Sequence, residues 1–126
     1  MTLDNKVVYV SGPVTGRDYA EVCRDFADAR SWLRAHGVSH VTTPTRLVSP
    51  GLGYEQAMRE CIHEITKRDY DVKEGGLVRR PWYDMVVMLD GWETSNGSTL
   101  ESMVAKTCGI KVITLSELQK EVSSND

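Results

Sequence analysis

Short runs of consecutive apolar residues alternate along this chain with longer segments in which apolar residues recur every three or four positions. Residues 6–10 (KVVYV) form the first run, rich in β-branched side chains and closed by Ser11, Gly12 and Pro13, which predicts a buried strand. From Asp18 to residue 35, Tyr19, Val22, Cys23, Phe26, Ala29 and Leu33 share one helical face, and Gly37 is placed to end that helix in the left-handed region. Residues 38–43 predict a second strand stopped by Pro44, and residues 45–53 a Pro- and Gly-containing loop. A helix over 54–67 gathers Ala57, Met58, Cys61, Ile62 and Ile65 on one side. Residues 69–81 are polar and read as an excursion or flexible loop. A strand over 85–89, a loop over 90–97, a helix over 99–108 stopped by Gly109, and a strand over 111–115 follow. Ser116 is placed to cap a short last helix, with Glu117 favourable at its positive end.

Strands that are continuously apolar are buried on both faces, and their alternation with helices implies parallel pairing. The expected fold class is therefore α/β: an open, doubly wound parallel sheet of four to five strands in a flavodoxin- or Rossmann-like three-layer α/β/α arrangement. The fifth strand, within residues 66–78, is compatible with the pattern but not required by it. With 126 residues and no repeat or linker, the expectation is one domain over 1–126.

Composition narrows the function classes. Lys and Arg total 15 against 18 Asp and Glu, a net charge of −3, which argues against polymeric nucleic acid as a partner. The basic cluster Lys67, Arg68, Arg79 and Arg80 reads as a solvated surface. No apolar run is long enough to span a membrane and no leader pattern opens the chain, so the expected location is cytoplasmic. Cys23, Cys61 and Cys108 are odd in number and widely spaced, as reduced thiols are. Neither they nor His36, His40 and His63 have metal-ligand spacing, and no metal or cofactor is expected.

Two loops follow strands, where open α/β sheets bind ligands. The first runs from Tyr9 through Ser11, Gly12, Pro13, Thr15 and Gly16 to Arg17, and its glycines permit a close backbone approach to a ligand. The second comprises Ser95, Asn96, Gly97, Ser98, Thr99, Leu100 and Glu101. Two readings of Glu101 compete. In one, Ser98 and Glu101 form a capping box at the helix start. In the other, Glu101 faces the crevice as nucleophile or base, with Ser95 and nearby amides holding a phosphate or a ribose hydroxyl.

The segment from Asp84 through Gly91-Trp92 to Ser95, Gly97 and Glu101 resembles the nucleoside 2-deoxyribosyltransferase-like family, which includes 2'-deoxynucleoside 5'-monophosphate N-glycosidases. The opening Tyr9-x-x-Gly12-Pro13 is similar to that family too, and small phage-associated members are the nearest in pattern. The resemblance implies cleavage of an N-glycosidic bond in a nucleoside or its 5'-monophosphate, a small-molecule substrate. It assigns the nucleophile to Glu101, its orientation to the Tyr9 hydroxyl, and a 5'-phosphate contact to Ser95. Trp92 reads as a base-stacking residue or a loop anchor. The second acid, which protonates the departing base, matches Asp69 in the pair Arg68-Asp69. Asp69 and Asp84 are 15 positions apart, more than the pattern expects. Residues 71–82 therefore look like an insertion that either covers the site as a lid or shifts the acid role to Asp71 or Asp84. Thr15 and Pro13 stand where monophosphate hydrolases carry more polar or basic ligands, and Arg17 is the one compensating cation. Kinship also implies a homo-oligomer.

Two other functions fit the same residues. One is a noncatalytic nucleotide-binding module of the same fold. The other is a phosphoribohydrolase acting on ribonucleoside monophosphates, whose Gly-rich loop is echoed in part by residues 96–101.

Overall fold

The computed structural model describes residues 2–73 and 76–124, with residues 70–73 and 76–79 described by their backbone. In chain order the elements are β1 (Val7–Ser11), α1 (Tyr19–Ala35), β2 (His40–Thr42), α2 (Pro44–Leu47), α3 (Tyr54–Ile65), β3 (Arg68–Lys73), β4 (Gly76–Pro81), β5 (Met85–Met88), a 3-10 turn (Trp92–Thr94), α4 (Asn96–Thr107), β6 (Lys111–Thr114) and α5 (Leu115–Ser124). Strands β2, β1, β5 and β6 lie in that order in an all-parallel sheet. Val8 is level with Val41 on one side and Met85 on the other, and Met85 is level with Lys111. This is the expected three-layer α/β arrangement, with four strands in its central sheet.

Strand alternation sorts side chains onto two faces. Val8, Val10, Met85, Val87 and Ile113 point to one, where α1 supplies Val22, Phe26, Ala29 and Leu33 and α5 supplies Leu118. Tyr9, Val86 and Met88 point to the other, against Cys61 and Ile65 of α3 and Ala105 of α4. Both faces are covered, which is why the strands read as unbroken apolar runs.

The strand order places a topological switch between β1 and β5. The chain leaves β1 toward β2 on one side and leaves β5 toward β6 on the other. In open α/β sheets the place of such a divergence, outside the carboxyl ends of the strands, is where ligands bind. At their bases the two loops stay in contact. Leu89 donates its N–H to the Ser11 carbonyl at 2.8 Å, and a Cβ added to Gly12 would lie 3.0 Å from the Leu89 side chain.

Four local expectations need correction. Residues 69–81 are an excursion built as a hairpin rather than a flexible loop: β3 and β4 pair antiparallel from Arg68 opposite Pro81 to Lys73 opposite Gly76. It forms its own two-stranded sheet, so residues 66–78 add no fifth strand to the central one. Part of the expected loop over 45–53 is helix α2, with Pro44 in its first turn, where the missing N–H costs nothing. Helix α4 begins at Asn96 rather than Thr99, because Ser95 caps it by accepting the Ser98 N–H at 3.2 Å. Helix α5 is capped by Thr114, whose hydroxyl accepts the Glu117 N–H at 3.1 Å, rather than by Ser116. Gly37 ends α1 as expected, at φ +101°, and Gly109 follows α4 at φ +79°. No helix among the described residues is long and apolar enough to cross a membrane.

Candidate active site

Tyr9 and Ser11 are two residues apart on β1 and so face the same way, toward α3 and α4. Glu101, on the second turn of α4, meets both. The Tyr9 hydroxyl donates to Glu101 Oε2 at 2.6 Å, and the Ser11 hydroxyl donates to Oε1 at 2.9 Å. All three are buried, Glu101 at 4% exposure. This overturns the capping-box reading. With Ser95 as the cap, Glu101 lies too far along the helix to serve its first amide, and its carboxylate is committed to the sheet.

Burial disfavours the ionised carboxylate and is the main cause that raises the Glu101 pKa above its ordinary value. The two hydroxyl donors work against that shift and favour the charged form. Each carboxylate oxygen accepts one hydroxyl and has a second acceptor direction left. The Tyr9 phenol is pushed well above its usual range, by burial first and then by the Glu101 charge, so it stays a neutral donor. Cys61 lies beside Tyr9 on α3. Burial is the largest cause that pushes its thiol up to about 11, which keeps it protonated and a weak nucleophile.

Around this trio the loops converge. Gly12 is buried under Leu89, and Pro13 flanks Gly91. Gly97 lets the first turn of α4 approach α3, where an added Cβ would meet the Met58 sulfur at 3.0 Å. Trp92 is half-buried and packs against the core cluster that holds Cys61, Ile65 and Ala105. Ser95, the helix cap, stands one turn before Ser98 and two before Glu101. Thr15 and Gly16 are exposed on the first loop, Gly16 at φ +80°. The Arg17 guanidinium is held inside that loop, donating to the Pro13 carbonyl at 3.1 Å and to Asp25 at 2.7 Å.

The structure does not bring the second-acid candidates to Glu101. Asp84 precedes β5 at the opposite end of the sheet, where its carboxylate accepts the Val7 N–H at 2.8 Å. It lies about 13 Å below the level of Ser11 at the rise of a parallel strand. Asp69 sits on β3, opposite Arg80, and the two form an ion pair at 3.1 Å. The base of this hairpin is closed by Trp82 donating to the Lys67 carbonyl at 2.9 Å, at the amino ends of the strands. The Asp71 side chain lies outside the described residues.

The sequence gives no site role to Ser11 or Cys61, and assigns Ser98 only to a helix cap. Ser11 was legible, since it repeats the face of Tyr9 at a spacing of two. Cys61 and Ser98 carried no such signal. Ser98 is buried one turn before Glu101, and its hydroxyl has no hydrogen-bond partner among the described residues.

Residues 6–72 and 80–114 match the family described as Domain of unknown function (DUF4406). The chain belongs to that family. The DUF4406 match takes in β1, α4 and hence Tyr9, Ser11 and Glu101, and it passes over residues 73–79, which lie within the expected insertion. The match thus leaves out the end of β3 and most of β4. No curated protein and no solved structure matches the chain significantly.

Proposed function

We propose that this protein cleaves or transfers the N-glycosidic bond of a nucleoside or its 5'-monophosphate, with Glu101 as nucleophile. The observation that carries the reading is the buried carboxylate held by two hydroxyl donors at the switch point of the sheet. Fixed at both oxygens, the carboxylate attacks without first reorganising. The base leaves C1' with the electron pair of the glycosidic bond and takes up a proton from solvent water, while Glu101 forms an ester to C1'. Water or a second base then displaces Glu101. The transition state has oxocarbenium character, which a desolvated negative charge stabilises. The likeness of residues 84–101 and of the Tyr9–Pro13 loop to the nucleoside 2-deoxyribosyltransferase-like family supports the same role.

A second reading, a noncatalytic nucleotide-binding module, is favoured by one observation. Asp84 lies at the end of the sheet away from Glu101 and Asp69 is paired with Arg80 on the separate hairpin, so neither is joined to Glu101 as an acid for the departing base.

One experiment separates the two. Wild type and Glu101→Gln are incubated with deoxynucleosides, ribonucleosides and their 5'-monophosphates, with and without acceptor bases, and free base is measured by chromatography. Base released by wild type and reduced at least a thousandfold in the variant is the expected outcome. Nucleotide binding by both proteins with no base from any substrate would sink the enzymatic reading.

A further inference from the structure

On the opposite face of the sheet from Glu101 lies a cavity of about 260 Å³ between α1 and the end of β2. Phe26 forms part of its wall, and its polar lining is Arg30, Ser31, Thr43, Thr45 and Arg46, with no carboxylate. Thr43 is buried at 1% exposure and follows Val41, which packs on the α1 side. Thr42, between them, reaches the other way to Tyr83 at 2.8 Å. The cavity is thus separated from the Glu101 trio by the sheet itself.

Its hydrogen-bond accounting is incomplete. Arg30 Nε is buried with no partner, and neither Arg30 nor Arg46 forms an ion pair among the described residues. The Thr43 and Thr45 hydroxyls are 3.0 Å apart and share one hydrogen bond. That bond uses one of their two protons, so the other is free to donate. A buried guanidinium N–H without an acceptor is costly, and such a group points to an ion or water that completes it. Two guanidinium groups and free hydroxyl donors, with no competing carboxylate, match the several acceptor oxygens of a phosphoryl group. The volume falls below the roughly 300–1,000 Å³ of sites for drug-sized ligands, so it suits a compact anion and not a whole nucleotide.

We propose that this cavity binds a small phosphoryl anion, either inorganic phosphate or a compact phosphate monoester, independently of the Glu101 site. The test titrates inorganic phosphate, glycerol 3-phosphate and ribose 5-phosphate into the full chain by calorimetry, and follows the arginine Nε–H signals by NMR. The comparison proteins are Arg30→Gln, Arg46→Gln and Glu101→Gln, each checked for fold by circular dichroism. Saturable binding that shifts the Arg30 Nε–H signal, weakens about tenfold or more in each arginine variant and survives in Glu101→Gln is the expected result. The tighter of the three anions identifies free phosphate or a monoester as the ligand. Arg46 is exposed on a short helix, so its variant keeps the test valid if Arg30→Gln does not fold. No saturation at millimolar concentrations of any of the three anions overturns the proposal, as does binding unchanged in folded Arg46→Gln or abolished in Glu101→Gln.

Discussion

At the scale of single residues, the Glu101 carboxylate is a charge the fold would reject without its two hydroxyl donors. Hydrogen bonds to a charged group are worth about 1.5–3 kcal/mol, more than those between neutral groups. Tyr9→Phe removes one donor and leaves the ring in place, so the cost falls on the ionised form. The variant is expected to lose about 1.5–3 kcal/mol of stability at neutral pH, and much less in acid where Glu101 is protonated. Urea unfolding at the two pH values measures the difference. An equal loss at both would assign the Tyr9 hydroxyl a role unrelated to the charge. If base release is found, the same substitution moves the acidic limb of the pH–rate profile upward, because the carboxylate then ionises less readily.

At the scale of elements, the apolar runs and three-to-four spacings were sufficient for all four central strands and for α1, α3 and α4. Each of those patterns is fixed by burial against the sheet. Elements held by other means were harder to read. The hairpin of β3 and β4 stands on its own pairing and on the closure between Trp82 and Lys67, so its strands carry no apolar run to announce them. Helix α2 is four residues long, too short for periodicity. Ser95 and Ser98 are both serines three positions apart, so sequence alone does not pick the cap of α4; the Ser98 N–H donated to the Ser95 hydroxyl does. The hairpin also has a functional consequence. It rises from the amino ends of the strands, while the trio sits toward the carboxyl ends. If base release is found, replacing residues 71–79 by a two-residue turn is therefore expected to change it less than twofold, measured under the assay proposed above. A large loss of activity would place the hairpin over the site as a lid.

At the scale of the whole molecule, the trio joins β1 to α4 across 90 or more positions of sequence, a relation no local pattern reveals. Glu101 was singled out by its loop and by family resemblance. Its partnership with Ser11, and the placement of Asp84 at the far end beside Val7, follow only from strand order. The same buried charge shapes stability against pH. The folded-state pKa of Glu101 is raised, so between the ordinary carboxylate range and that raised value the folded state holds a proton that the unfolded state has lost. Stability from this group is then greatest in acid and falls as pH rises through the folded pKa. Denaturation midpoints measured across that range should show a downward slope in wild type that flattens in Glu101→Gln. The variant should also be the more stable of the two at neutral pH. Identical pH profiles would mean that the carboxylate is not desolvated in solution.

Cys61 gives this arrangement a built-in clock. Its thiol is shut between α3 and the sheet, beside Tyr9, whereas Cys108 is exposed at the end of α4. An alkylating reagent should modify Cys108 at once and reach Cys61 only when α3 lifts from the sheet. The slow phase of labelling, resolved by mass spectrometry, then reports how often the wall behind Glu101 opens. A ligand seated over the trio should lower that labelling rate in proportion to its occupancy, whether or not it is ever turned over.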